Sequence, residues 1–196
     1  MSSEYKDINE ILKALGRSVH IKPESIPNMT MYMDQLTGFM EERLSDNRRY
    51  PEDKIMTKTM INNYVKNGLI PPPDKKKYSR DHILLLNFIY YFKNFMTMND
   101  IDHLLSPLGE HYFNLPKDSE LTLSDIYNTV FSLKDEQIEG VSQDICRMFS
   151  ISEESFSSVK GNEGEKLKRF AFICTLCFDI YIRNLILEQL LDDLEH

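Results

Sequence analysis

KTMINNYVKNGLIPPPDKKKYSR (residues 58–80) joins a polar helical pattern to three consecutive prolines and a cluster of lysines. Thr57, which precedes this stretch, is a suitable N-cap for a short helix, and Gly68 suits its C-terminal end. The prolines cannot extend a helix, so the chain is expected to be extended where they occur. The stretch therefore predicts a helix at 57–67 and a basic wing or turn at 74–80.

The predicted helix has one apolar face and one face of hydrogen-bonding and cationic side chains. The apolar positions recur at three- and four-residue spacing, as expected for a buried stripe. They are Ile61, Tyr64, Val65 and Leu69. The opposite face carries no carboxylate and consists of Lys58, Thr59, Asn62, Asn63 and Lys66. Because Asn can pair with adenine edges and Lys can neutralise phosphate, this face is suited to a DNA duplex.

Charge is distributed unevenly along a chain whose formal net charge is -8. From Arg43 to Arg80 there are ten basic and four acidic residues, a local excess of six positive charges. From Asp118 to Glu165 there are eleven acidic and three basic residues. A basic face followed by an acidic segment indicates a nucleic-acid-binding part attached to a separate module. The lysines of DKKKY, residues 74–78, are equally compatible with a solvated loop.

The remainder of the sequence also has helical periodicity, so the predicted fold class is all-α. Helices are expected at 4–15, 30–44, 82–95, 98–105 and 165–194, with Pro107 ending the fourth of them. Two further apolar stripes, at 123–133 and 138–149, precede the glycine-containing loop SSVKGNEGE at 157–165. The last helix is long and apolar enough to serve as a subunit contact, so we expect a homodimer.

Composition indicates a soluble protein of a reducing compartment. The chain has three cysteines, an odd number that does not suggest a disulfide framework, and 41% of its residues are hydrophobic. The opening MSSEYKDINEILK has charges where a signal peptide is apolar. The most apolar stretch, 170–191, is interrupted by Asp179, Arg183 and Glu188, which disfavours a membrane span. We therefore expect a cytoplasmic location and no membrane partner.

The sequence contains no strong catalytic or metal-binding motif. We therefore expect no enzymatic activity, no cofactor and no metal site. Phosphate-loop, serine-hydrolase and zincin motifs do not occur in the sequence. Cys174 and Cys177 form a C-x-x-C pair on an apolar helix without a second ligand pair, so we interpret them as core packing. We assign surface and packing roles to a scattered acidic and histidine group, namely Asp100, Asp102, His103, Glu110 and His111.

Residues 57–105 resemble the MerR-type winged helix-turn-helix. The residues that match its recognition helix and the run after it are Tyr64, Gly68, Leu69, Ile70, Pro71 and Pro72. Those that match its basic wing are Lys76, Lys77 and Tyr78. Those that match its third and fourth helices are Ser79, Ile83, Leu86, Ile89, Met98, Ile101, Leu104 and Leu105. The whole chain is similar to a bacterial group of MerR-like regulators, the YkrK-like proteins.

The resemblance implies two domains. Residues 1–110 would hold N-terminal helices and a MerR-like DNA-binding domain with its core at 30–106, and residues 111–196 an acidic helical dimerisation or effector domain. The wing is short, so a hairpin and a simple turn both remain open. An arginine common in the family is replaced by Asn62, and about a dozen residues connect the first two helices.

The implied function is a sequence-specific, DNA-binding transcriptional regulator with double-stranded DNA as partner and an effector that the sequence does not identify. The alternative is an adaptor that uses the same basic surface to bind an acidic protein. The predicted DNA-contacting residues are Thr57, Lys58, Thr59, Asn62, Asn63, Lys66, Lys75, Lys76, Lys77, Tyr78 and Arg80.

Overall fold

The protein has an all-α fold, as predicted. The computed structural model describes residues 8–15 and 20–195, which form seven α-helices and one two-stranded sheet. The helices are α1 (Ile8–Leu15), α2 (Met33–Leu44), α3 (Lys58–Lys66), α4 (Arg80–Phe92), α5 (Met98–His111), α6 (Leu123–Glu154) and α7 (Asn162–Asp192). The strands are β1 (Met31–Tyr32) and β2 (Lys77–Tyr78), and single 3-10 turns occur at Pro23–Ser25, Ser45–Asn47 and Asp193–Glu195.

The described residues divide into two compact units. We call residues 20–133 the core unit, and residues 8–15 with 134–194 the long-helix unit. Helix α6 contributes its first part to the core unit and its remainder to the long-helix unit. This division by contacts does not test the predicted boundary between a DNA-binding domain and an effector domain at residues 110 and 111, which stays a prediction.

Helix α4 is the central element of the core unit, because it is buried over eight consecutive residues from His82 to Ile89. A helix that is apolar nearly all round needs neighbours on every side. Buried side chains from the other elements of the unit complete the core. They include Leu36, Met40 and Leu44 of α2, Ile61 and Tyr64 of α3, Ile101 and Leu105 of α5, and Leu123 and Tyr127 of α6.

A buried polar cluster lies within this core. The hydroxyl of Tyr127 donates to the carbonyl of Ile21 at 2.7 Å and accepts from the side-chain amide of Asn87 in α4. Burial raises the pKa of Tyr127, so the phenol stays protonated and able to donate. The cluster joins the segment before β1 to two helices that are far apart in sequence, so it selects one arrangement of the core.

The two strands pair antiparallel, with Met31 opposite Tyr78 and Tyr32 opposite Lys77. Met31 and Tyr78 are buried, whereas Tyr32 and Lys77 are exposed, so one face of the pair closes the core and the other faces solvent. Helix α2 consequently begins at Met33 and not at residue 30 as predicted, because residues 31 and 32 are extended strand. The pairing joins residues 45 and 47 positions apart in the chain, which helical periodicity does not reveal.

Helix α5 continues past Pro107 to His111, so the predicted end at this proline is wrong. A proline inside a helix removes one backbone hydrogen bond and costs about 3 kcal/mol in an isolated helix. Tertiary packing outweighs this cost here, because Leu105 is buried and Gly109 faces the Pro71 ring. A methyl group added at Gly109 would lie 3.9 Å from that ring.

The long-helix unit is built on the antiparallel packing of α6 and α7. Phe149 and Phe172 make an edge-to-face contact with ring centroids 5.3 Å apart. Ion pairs join Glu153 to Lys168 at 3.5 Å and Asp144 to Arg183 at 3.6 Å, so increasing residue numbers on one helix meet decreasing numbers on the other. The predicted helix of residues 4–15 is described only from Ile8, as α1, and residues 4–7 lie outside the described residues.

The connection between α6 and α7 is shorter than predicted. Helix α7 begins at Asn162, so Gly164 belongs to its first turn and not to a loop. Gly164 is buried, and a Cβ atom at this position would lie 2.1 Å from the carbonyl oxygen of Val159. The glycine is therefore required by close backbone approach and does not mark chain flexibility.

Helix α7 exposes an unusual amount of apolar surface. Its exposed large hydrophobic side chains are Phe170, Ile173, Phe178, Ile180, Tyr181, Ile182, Leu185, Ile186 and Leu190. By length and composition α7 qualifies as a possible membrane span, with a mean hydropathy of 1.7 in its most apolar window and no buried residue there. The prediction that Cys174 and Cys177 are core residues is wrong, since Cys177 is exposed and Cys174 half-buried.

We predict that Tyr127→Phe lowers the free energy of unfolding of the core unit by about 1–3 kcal/mol, because the Ile21 carbonyl and Asn87 amide lose their shared partner. Urea denaturation followed by circular dichroism measures the change. Tyr50→Phe is the matched control, since that ring is 48% exposed. Equal midpoints for the two variants would show that the buried cluster contributes nothing to stability.

Candidate nucleic-acid interface

Helix α3 has the boundaries that its capping residues predict. The Thr57 side-chain oxygen accepts the Met60 backbone N–H at 3.2 Å, and Gly68 follows the helix with a φ of +85°. Ile61 and Tyr64 are buried, and Leu69 is buried just beyond the helix, so the apolar stripe faces the core as predicted. Thr57 itself is half-buried and serves as the helix cap.

The opposite side of α3 faces solvent. We call its exposed residues Thr59, Asn62, Asn63 and Lys66 the recognition face. The cap and the buried stripe fix the rotation of the helix, so these four side chains share one outward surface. Lys58 is also exposed but forms an ion pair with Asp34 in the first turn of α2. A carboxylate that the sequence pattern of α3 did not predict therefore lies at the edge of this surface.

The basic wing, residues 74–80, begins with a two-residue hairpin turn, which decides between the hairpin and the simple turn. The Lys77 N–H donates to the Asp74 carbonyl at 2.8 Å, and these residues form an antiparallel bridge. Lys75 and Lys76 occupy the two turn positions with φ values of 47° and 64°. Positive φ at both positions is characteristic of a type I′ turn, the turn that best fits the twist of paired strands. All three lysines are exposed.

The start of α2 lies between α3 and the basic wing. The Lys77 ammonium is 5.3 Å from the centre of the Tyr32 ring, its cross-strand partner. Two residues later, Asp34 pairs with Lys58 at the start of α3. The sequence 32–34 thus contacts the first residue of α3 on one side and the wing on the other. The structure therefore brings the two predicted contact elements together around one short segment.

Besides the half-buried cap Thr57, two more predicted contact residues, Tyr78 and Arg80, do not belong to the exposed surface. Tyr78 is only 3% exposed and packs edge-to-face on His82 with ring centroids 5.2 Å apart. Arg80 is half-buried, and its Nε atom is inaccessible and without a hydrogen-bond partner among the residues that the structure describes. The alternation of the β2 strand explains Tyr78, because its neighbour Lys77 occupies the solvent-facing side.

The connector between α2 and α3 is held against the core. Ile55 and Met56 are buried, and the Lys93 ammonium donates to the Ile55 carbonyl at 2.9 Å. Arg48 forms an ion pair with Glu41 at 2.7 Å and donates to a backbone carbonyl of the connector. Burial lowers the pKa of Lys93. The dozen residues that separate the helices are thus anchored at both ends and position the start of α3.

His82 joins the first residue of the proline run 71–73 to the start of α4. Its Nδ1 accepts the Ser79 backbone N–H at 2.9 Å, which places the proton on Nε2. Nε2 then donates to the carbonyl of Pro71 at 3.1 Å. Burial lowers the pKa of His82 to about 4, although its bond to Pro71 opposes the shift. The neutral imidazole therefore positions both ends of the segment that carries the basic wing.

Pattern analysis of the sequence missed three residues that shape this surface: Tyr32, Asp34 and His82. Tyr32 and Asp34 reach the surface through strand pairing and an ion pair to a distant segment, for which the sequence carries no local signal. His82 had a signal, because it occupies the third position after the Ser79 cap, where capping-box partners occur. No group of three potential metal ligands converges within residues 8–15 and 20–195.

Comparison with known proteins gives one match. Residues 21–130 match the Domain of unknown function (DUF1836), which covers more than half of the chain and all of the surface described above. No curated protein and no solved structure shows significant similarity to the chain.

We predict that wild-type stability falls between pH 6.5 and pH 5 by roughly 1.4 kcal/mol per pH unit. The unfolded chain takes up a proton on His82 near pH 6.5, whereas the folded protein does so only near pH 4. The stabilisation is therefore complete above pH 6.5 and declines as the pH falls towards 4. Urea midpoints across this range should vary less in His82→Gln. His111→Gln, which changes an exposed residue, should behave like wild type.

Proposed function

The chain belongs to the DUF1836 family, and we propose that it is a sequence-specific, DNA-binding transcriptional regulator. The observation that carries the proposal is the presence of an exposed recognition face on α3 together with three exposed lysines in the basic wing. Lys58 at the start of α3 and Lys77 of the wing contact Asp34 and Tyr32, which belong to one short segment. Within the proposal, α3 occupies the major groove and the basic wing contacts the flanking phosphates.

The chemistry of the recognition face supports base readout. Asn62 and Asn63 each present a carbonyl and an amino group, the combination that pairs with the N6 and N7 edge of adenine. Thr59 can touch a thymine methyl group or donate to phosphate, and Lys66 can neutralise phosphate. None of these four side chains is needed to hold α3 in place, because Thr57 caps the helix and its apolar stripe is buried.

The basic wing supplies the non-specific part of the affinity. Lys75, Lys76 and Lys77 are consecutive, and the type I′ turn projects them from the end of a short strand pair. Phosphate neutralisation releases counterions, so three to four contacts per subunit correspond to a log-log salt slope of roughly -5 to -7 for a dimer. Asp34 opposes this attraction, since its carboxylate already neutralises Lys58.

The order of the elements supports the finer proposal of a MerR-like winged helix-turn-helix. Helices α2 and α3 would form the helix-turn-helix, the basic wing follows, and α4 and α5 correspond to the third and fourth helices. The proposed DNA-binding domain is residues 1–110, with 111–196 for dimerisation or effector response, as in a YkrK-like regulator. A cytoplasmic location and the absence of enzymatic activity are parts of this proposal.

The long-helix unit supports a homodimer as the functional form. Although α1 belongs to the same unit as α6 and α7, α7 leaves nine large apolar side chains exposed. A second copy would cover them as in a helical bundle. A lipid bilayer is a poorer partner, because Arg183 in the middle of α7 pairs with Asp179 of the same helix and Asp144 of α6.

We predict that wild-type protein enriches a defined sequence from genomic DNA fragments at moderate salt. Asn62→Ala with Asn63→Ala should lose that preference while keeping non-specific binding, because base readout is removed and the lysines remain. Lys54→Gln is a control, since it removes an exposed positive charge outside the recognition face. An adaptor that binds an acidic protein would enrich no sequence, and its binding would not respond to the asparagine changes.

We predict that replacing Lys75, Lys76 and Lys77 with glutamine reduces the salt slope of DNA binding to about a quarter of the wild-type value or less, because at most one of the three to four contacts per subunit remains. Asp34→Asn should act in the opposite direction and tighten binding about 2- to 5-fold, since a surface ion pair worth roughly 0.5–1 kcal/mol no longer competes for Lys58. Fluorescence anisotropy at several salt concentrations measures both effects. Asp46→Asn is the matched control for Asp34, and an equal gain there would exclude a specific role for the ion pair.

We predict that light scattering finds a dimer at micromolar concentration and that Phe178→Glu with Ile182→Glu converts it to a monomer. These residues are 64% and 57% exposed on α7, so the change should spare the fold of each chain and introduce repulsion only at the interface. Tyr50→Glu, on the core unit, should remain dimeric. A wild-type monomer at high micromolar concentration, or a protein that sediments with lipid vesicles, would contradict the proposed dimer.

A further inference from the structure

An open cavity of about 320 Å³ lies in the core unit beside the beginnings of α4 and α6. It is separate from the recognition face, since none of Thr59, Asn62, Asn63 and Lys66 lines it. The polar side chains that line it near the two helix starts are Ser79, Arg80, Asp81, Lys117, Thr122 and Ser124. Its volume lies at the lower end of the range of about 300–1,000 Å³ found for ligand pockets, which limits an occupant to a small molecule.

The cavity is electropositive in a chain that is acidic as a whole. Its ionisable lining residues are two cations, Arg80 and Lys117, and one carboxylate, Asp81. The carboxylate already has a partner, because Asp81 accepts the Asn114 backbone N–H at 2.6 Å. The lining therefore carries a formal excess of one positive charge, whereas the whole chain carries -8.

Two helix N-termini add to this positive potential. Ser79 and Arg80 are the cap and first residue of α4, a helix of 13 residues. Thr122 and Ser124 flank the first residue of α6, a helix of 32 residues. Each helix start carries a partial charge of about +0.5 from its aligned peptide dipoles, although Asp125 offsets part of this at α6 through its bonds to Thr122. Oxyanions bind at such positions.

The guanidinium of Arg80 contains a donor without an acceptor within residues 8–15 and 20–195. The Nε atom of Arg80 is inaccessible to solvent and has no hydrogen-bond partner among the described residues. A buried N–H of a charged group without an acceptor is costly, so the side chain gains from any rotamer change that brings it to an acceptor. An oxyanion in the cavity that Arg80 lines would supply that acceptor.

We propose that this cavity binds a small metabolite that carries a phosphate or carboxylate group. Arg80 and Lys117 provide the charge, and the hydroxyl of Ser124 provides a hydrogen bond to the oxyanion or to a polar group beside it. The hydroxyls of Ser79 and Thr122 line the cavity but already bond to His82 and Asp125. The site is small and partly open, so a free phosphate or a short phosphorylated or dicarboxylic compound fits it better than a nucleotide.

The position of the cavity gives such a ligand a route to regulation, a step that rests on the proposed DNA function. Ser79 follows directly after β2, and the lining residue Thr30 directly precedes β1. A ligand that contacts both residues would stiffen the strand pair and with it the basic wing. Binding of the metabolite would then change the affinity for DNA, and DNA would change the affinity for the metabolite by the same factor.

The binding step is tested on the full chain without DNA, with inorganic phosphate as the probe. NMR titration at constant ionic strength, with chloride as the exchanged anion, should show saturable shifts at the amides of residues 79–81 and 122–124. Arg80→Met and Lys117→Met should each weaken the apparent affinity at least tenfold, whereas Lys54→Met should change it less than twofold. Lys117 is exposed, so its variant remains informative if Arg80→Met does not fold.

Shifts that do not saturate, or that weaken equally in Lys54→Met, would overturn the cavity as a binding site. The experiments distinguish failure of the proposed DNA function from failure of the proposed anion site. Saturable phosphate binding in a protein that enriches no DNA sequence would contradict the DNA function and support the cavity. Normal DNA selection without saturable phosphate binding would contradict the cavity alone.

Discussion

Burial of α4 from His82 to Ile89 is the constraint on which the core unit depends. A helix without a solvent-facing side must be enclosed, so α2, α3, α5 and the first part of α6 each contribute a buried stripe to the same core. The polar outer sides of those elements then have to face solvent. The polar side of helix α3 consists of two amides, a hydroxyl and a cation. Enclosure of α4 therefore leaves a candidate binding surface on the outer side of α3.

The polar groups inside the core determine which arrangement is adopted. The Tyr127 hydroxyl joins Ile21 to Asn87, and the His82 imidazole joins Pro71 to Ser79. Each bond connects segments that hydrophobic burial alone would allow to slide past one another. The second of them holds both ends of the segment that contains the basic wing, so the orientation of the lysines depends on an uncharged histidine nearby.

The sequence predicted the elements whose signals are local, and it missed those that depend on distant partners. Thr57 and Gly68 mark the ends of α3 correctly because capping is decided within a few residues. Strand pairing of Tyr32 with Lys77 and the Asp34 ion pair were invisible, since helical periodicity carries no information on which segments meet. The same limit explains two wrong predictions. Helix α5 continues past Pro107 because its packing outweighs a local stop signal. Cys177 is exposed because no other element that the structure describes packs over its side of an apolar helix.

The turn at the tip of the basic wing places two lysines in a backbone conformation that lysine disfavours. A chain selected for stability alone would place Asn-Gly at these two positions, because a left-handed conformation costs other residues about 1–2 kcal/mol each. Lys75 and Lys76 both adopt this left-handed conformation and so lower the stability of the turn. Two cations are thus held at the tip of the strand pair in a conformation whose cost to stability Asn-Gly would avoid.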